Sequence, residues 1–153
     1  MSLLTKTEED LIQRKFDDLL LHCTHCDGKT DQRLIRKAFR LAKEAHKGMR
    51  RKSGEPYILH PIAVAKIVTH EIGLGAKSVI CAILHDVVED TDFTIEDVEN
   101  HFGKKVASII DGLTKISDVF DNNSSLQAEN FRKMLLTLSD DVRVILIKLA
   151  DRL

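Results

Sequence analysis

The chain has 153 residues with 23 Lys and Arg against 24 Asp and Glu, a formal charge of −1. A balance this even argues against bulk binding to nucleic acid or an anionic membrane, and 43% hydrophobic with 31% charged residues excludes a disordered polymer. One domain of this size buries roughly two-thirds of its unfolded surface.

Apolar spacing predicts helix after helix. The first spans about Glu8 to His22, with Leu11, Ile12, Phe16, Leu19 and Leu20 on one face. Cys23 to Thr30 breaks it, and Asp31 is the expected N-cap of a second helix with a stripe of Leu34, Ile35, Ala38, Phe39, Ala42 and Ala45. Gly, Pro and charge make Lys47 to Tyr57 a loop. A third helix opens at His60-Pro61, continues through Ile62, Val64, Ile67 and Val68, and stops near Gly73 and Gly75. The fourth, Ala76 to Val88, is apolar on most sides and belongs in the centre of the fold. Thr94 and Asp97 read as a capping box for a short helix closed by Gly103. Helices are then expected over Lys104 to Leu113, about Leu126 to Leu138, and Val142 onward, with Lys115 to Ser124 a polar loop.

The resulting fold class is all-α, a bundle of about eight helices in a single unit, with residues 1–30 as an N-terminal helix and loop. Only two Pro, one Tyr and no Trp agree with that. No apolar run approaches the ~20 residues of a membrane span, and the N-terminus lacks a signal-peptide pattern. Three cysteines cannot complete a disulfide framework, which makes the cytosol the default compartment. The last helix is strongly apolar and reaches Leu153 without a cap, so the sequence reads as part of something longer. Ile145, Leu149 and Leu153 on it are expected to seek cover, against a second copy of the chain for instance.

The chemistry concentrates in Leu84-His85-Asp86-Val87-Val88-Glu89-Asp90-Thr91-Asp92. Glu89 follows His85 by four residues and Asp90 follows Asp86 by four, so four titratable groups crowd one turn leading out of an apolar helix. Such crowding is costly unless a cation or substrate compensates it, although a solvated helix end with a hydrogen-bonded histidine is the plainer reading of the stretch alone. Two remote residues extend the set: His60 at a helix start and Asp151 inside an apolar run. Singly, each is more often a satisfied core group. Together, His60, His85, Asp86 and Asp151 offer two imidazoles and two carboxylates, donors that suit Mn, Fe or Zn with positions left open for water. Arg50, Arg51 and Lys52, with Lys47 nearby, form a basic loop just before His60; Arg50 is read as solvated. His22-Cys23-Thr24-His25-Cys26 alternates potential zinc ligands, but no second ligand pair is evident, and free thiols at a helix end are the preferred reading. Cys81 is read as a small buried residue.

Several segments in order resemble the hydrolase domain of the RelA/SpoT family, a branch of the HD superfamily. They are Arg51-Lys52-Ser53-Gly54-Glu55-Pro56-Tyr57-Ile58-Leu59-His60-Pro61, His85-Asp86-Val87-Val88-Glu89-Asp90-Thr91, Asp111-Gly112-Leu113-Thr114-Lys115, Ala128-Glu129-Asn130-Phe131-Arg132-Lys133-Met134 and Lys148-Leu149-Ala150-Asp151-Arg152-Leu153. The similarity covers about residues 31 to 153. It implies a helical domain that binds Mn2+ and releases pyrophosphate from the 3′ position of (p)ppGpp, giving GDP or GTP. Carried over residue by residue, it implies His60, His85, Asp86 and Asp151 as metal ligands and Glu89 and Asp90 as the pair that handles water and protons. Arg51 would lie against the base, with Lys52 and Ser53 lining the nucleotide pocket. The resemblance also implies a cytoplasmic protein whose last helices, synthetase domain and regulatory domains lie beyond this chain. Two other functions compete: a free-standing HD phosphohydrolase acting on another nucleotide such as NADPH, and a regulatory nucleotide-binding module without turnover. The intact acidic pair counts against the second of these.

Overall fold

The computed structural model describes residues 4–23, 26, 28–122 and 141–152. Among these the secondary structure is helical: α1 (Lys6–Leu21), α2 (Lys29–Ala45), α3 (Leu59–Lys66) running into a π-turn (Ile67–Glu71), α4 (Ala76–Asp90), α5 (Ile95–Phe102), α6 (Lys104–Asn122) and α7 (Val142–Arg152). The expected helix over Leu126 to Leu138 lies outside the described residues.

Local signals explain most boundaries. Thr5 and Glu8 form a full capping box, each side chain accepting the other's backbone N–H at 3.1 Å, so α1 starts two residues before the apolar stripe suggested. The Thr94–Asp97 box opens α5 as expected, at 3.0 and 3.1 Å, and Gly103 closes it at a φ of 95° that a side chain would resist. Two expectations need correction. The N-cap of α2 is Gly28, not Asp31, which falls in the first turn where its charge meets the positive end of the helix dipole. The polar stretch from Lys115 is not a loop: α6 runs on to Asn122, because Ile116 continues the buried stripe of Val106, Ile109, Ile110 and Leu113. Pro61 sits third in α3, still within the first turn, where a missing N–H costs no intrahelical bond.

α4 is the axle of the bundle, packed against α2, α3, α6 and α7, and every residue from Val79 to Val87 is buried. α1 joins the same core through Ile12, Phe16 and Leu19, with the Phe16 ring stacked on Phe39 of α2 at 3.9 Å. Leu84, fully buried at the middle of α4, tests this packing. Leu84→Ala is expected to cost about 3 kcal/mol in urea unfolding, through lost burial and the cavity left behind; a cost under about 1 kcal/mol would mean that α4 is not central.

The segment after α1 also departs from expectation. Cys23 and Cys26 are joined as a disulfide, with Cα atoms 5.4 Å apart, rather than standing as free thiols. That Cα spacing lies within the disulfide range. Thr69 of the π-turn donates to the Cys23 sulfur at 3.3 Å. Cys81 is buried as expected, and burial pushes its thiol well up. No helix among the described residues is long and apolar enough to cross a membrane.

Candidate metal centre

α4 carries His85 and Asp86 out of the core, α3 brings His60 beside them, and α7 brings Asp151. The His60 Nε2 and Asp151 Oδ1 atoms lie 2.8 Å apart across 91 residues of sequence. His85 Nε2 lies 3.2 Å from Asp86 Oδ1 and 3.5 Å from Asp151 Oδ1. Ligand atoms of His60, Asp86 and Asp151 all fall within 4.8 Å of one another, a span one cation can bridge. The four residues singled out from sequence therefore converge on one point.

The donor chemistry fits a cation. His85 is 2% exposed, and its Nδ1–H donates to the Ala82 carbonyl at 2.7 Å. That bond turns Nε2 toward the carboxylates, where it can give a cation its lone pair once its own proton has left. An imidazole fixed by its far nitrogen with its near one aimed at oxygen donors is the usual posture of a metal-ligating histidine. Tyr57 fixes Asp86 in the same way, donating its hydroxyl to Oδ2 at 2.7 Å, and Lys148 donates to Asp151 Oδ2 at 3.3 Å.

Protonation shows the same demand for positive charge. Burial opposes a charge on His85, but the Asp151 bond and the charges of Asp86 and Asp151 outweigh it and push the imidazole up to about 9. Asp151 is likewise opposed by burial, yet the His60 and His85 contacts hold it well below the ordinary carboxylate range. Burial and the Asp86 charge together push the Tyr57 hydroxyl far up, so it stays a donor.

Above the cluster opens a cavity of about 820 Å³, and its lining includes Arg51, Lys52, Ser53, His60, Asp86, Glu89, Asp90 and Asp151. Every candidate singled out from sequence lines it except His85, which lies beneath the two carboxylates. The basic loop folds back on itself through one antiparallel bridge between Arg50 and Pro56, and a turn from Arg51 to Gly54 with Gly54 at a φ of 95° presents Lys52 and Ser53 at the rim. Glu55 steadies it, accepting from Ser53 at 3.1 Å and pairing with Arg51 Nε at 3.8 Å. Arg50 is not merely solvated. Its two terminal nitrogens fork onto the Glu8 carboxylate at 2.7 and 2.8 Å and bind the loop to the start of α1.

His46, Tyr57 and Lys148 were not singled out from sequence. His46 and Tyr57 bracket the basic loop, and Lys148 precedes Asp151 by one helical turn in an otherwise apolar helix; those placements are the signal that was there to read.

An HD-domain family description matches residues 38–153. Over 119 residues, 77% of this chain, the sequence is 50% identical to a guanosine-3′,5′-bis(diphosphate) 3′-pyrophosphohydrolase of Vibrio cholerae and to the bifunctional (p)ppGpp synthase/hydrolase SpoT of Escherichia coli. It is 46% identical over 127 residues to a GTP pyrophosphokinase of Myxococcus xanthus. The chain spans 17% of the length of the first two relatives and 16% of the third. An HD domain implies a divalent metal, and the cluster of His60, Asp86 and Asp151 is the place for it among the described residues.

Proposed function

The chain belongs to the HD-domain family, and on that premise we propose that it hydrolyses guanosine tetra- or pentaphosphate, adding water to release pyrophosphate from the 3′ position and leave GDP or GTP. The observation that supports this most is the convergence of His60, His85, Asp86 and Asp151 beneath a cavity with Arg51 and Lys52 at its rim. Residues 1–153 then act as one hydrolase unit, and the names of the relatives support the guanine substrate over NADPH.

In this reading His60, His85, Asp86 and Asp151 hold a divalent cation, with Mn2+ the ion inferred. When bound, such an ion supplies Lewis-acid polarisation of a phosphoryl oxygen and makes water more acidic. Glu89 and Asp90, exposed at the last turn of α4, take the proton from the attacking water and return one to the departing 3′ oxygen. They adjoin each other at a wall of the cavity, where both carboxyl groups can face a water bound there. Lys52 and Ser53 contact phosphate oxygens, and the Arg51 guanidinium stacks on the purine.

Incubating the chain with ppGpp, pppGpp and NADPH, with and without added Mn2+, tests the reading. Metal-dependent pyrophosphate release from the two guanine nucleotides is expected, with little from NADPH. Turnover of NADPH alone would favour the free-standing phosphohydrolase, and tight binding without turnover the regulatory module. Arg51→Ala is expected to raise KM more than it lowers kcat, because stacking on the base helps ground and transition states alike. An unchanged KM would return Arg51 to a solvated surface charge.

A further inference from the structure

We propose that His46 is a positioning residue that holds the Asp90 carboxylate in the orientation hydrolysis needs. The proposal rests on the hydrolase reading above and adds to it a residue outside the metal cluster and the acidic pair.

His46 follows the last residue of α2, and its side chain is wholly buried. Its Nε2–H donates to Asp90 Oδ2 at 3.3 Å across 44 residues of sequence, the carboxylate fixing the proton on that nitrogen. Asp90 is the final residue of α4, with its side chain one-third exposed. A carboxylate there faces the negative end of the helix dipole and, without a fixed donor, swings toward solvent. The imidazole supplies that donor from a position it cannot leave.

Packing does not explain why the residue is histidine. Its Nδ1 is buried and has no hydrogen-bond partner, and a stranded polar nitrogen is costly. An apolar side chain of similar size fills the space without that cost. What the imidazole alone provides is the Nε2–H. The ring also lies against Tyr57, centroids 4.6 Å apart, while Tyr57 donates to Asp86. One aromatic shelf thus orients a carboxylate of the cluster and a carboxylate of the acidic pair, setting the placement of Asp90 relative to Asp86. A group that aims Asp90 acts on the reacting water and not on nucleotide binding, so its loss belongs in kcat.

The test compares His46→Leu, which keeps bulk, with His46→Gln, which keeps a donor near the Nε2 position. Both are made in the 153-residue chain and assayed with ppGpp and Mn2+, alongside metal content and thermal unfolding. His46→Leu is expected to lose about tenfold to a hundredfold in kcat with KM and metal content nearly unchanged, the scale of a misplaced catalytic group. His46→Gln is expected to recover most of that loss. A wild-type kcat in His46→Leu, a rise in KM in its place, or a glutamine variant as slow as the leucine one would overturn the proposal. Nitrogen-15 NMR of the histidines gives a second readout that needs no turnover. A slowly exchanging His46 Nε2 proton is expected, and it should shift and exchange faster in Asp90→Ala; no response to Asp90→Ala overturns the proposal. If the unaltered chain fails to cleave ppGpp, the hydrolase reading fails, and the NMR comparison still decides whether His46 holds Asp90.

Discussion

Substituting Glu89→Gln and Asp90→Asn together is expected to lower hydrolysis about a hundredfold or more, the usual scale for loss of acid–base catalysis. Metal content and unfolding temperature should stay close to those of the unaltered chain. Both residues are exposed at the end of α4, outside the cluster whose ligand atoms lie within 4.8 Å, so the amides disturb neither core nor cation. The amide that replaces the Asp90 carboxylate still accepts the His46 proton through its oxygen, which keeps the local geometry and removes only the titrating group. Metal lost from the double variant would make the pair ligands and end their role as proton carriers.

Asp86→Asn should act in the opposite way, through the metal. The amide keeps an acceptor for the Tyr57 hydroxyl, so the fold should survive. The cluster loses one of its two anionic ligands, and Mn2+ affinity should fall by more than the roughly 10- to 100-fold that loss of an outer partner costs. Activity at limiting metal should fall with it. The pH dependence of binding provides an internal check. Without a cation His85 holds a proton up to about 9, and that proton must leave before Nε2 can donate its lone pair. Apparent Mn2+ affinity should therefore rise with pH, by up to about tenfold per unit, and level off near pH 9. Stability of the metal-free chain should run the other way. The folded-state value of His85 lies above its ordinary 6.5, so the stabilisation is fully present below pH 6.5 and is lost as pH rises through about 9. Calorimetric titration at three values between about pH 6 and 8 measures the first trend; an affinity flat across that range would place the cation away from His85.

Much of the fold is legible in the sequence. Helix periodicity locates α2 and α4, which bury one continuous stripe and nearly a whole circumference, while the Thr94–Asp97 capping box and Gly103 locate α5. The unusual burden on α4, His85 and Asp86 next to Glu89 and Asp90 in an apolar helix, pointed to the site. Periodicity could not bring His60 and Asp151 to it, since side chains 91 residues apart meet only through the packing of α3 and α7; family resemblance supplied that pairing as an expectation. What stayed hidden was the supporting layer. His46 and Tyr57 look like ordinary residues flanking a loop, and their partners lie 44 and 29 residues away. The end of α6 is hidden in the sequence because the residues from Lys115 onward are mostly polar, with Ile116 marking the face that keeps the helix against the core. The Cys23–Cys26 pairing is not legible from an odd cysteine count, which says nothing about two thiols three residues apart.

The most direct test of the whole account is phosphorus-31 NMR of ppGpp incubated with the 153-residue chain, first in chelator and then with excess Mn2+ restored, the paramagnetic ion being chelated again before each spectrum. The account predicts unchanged ppGpp in chelator, followed on metal addition by the paired appearance of free pyrophosphate and GDP. Cleavage that proceeds in chelator, or that yields orthophosphate in place of pyrophosphate, would contradict it.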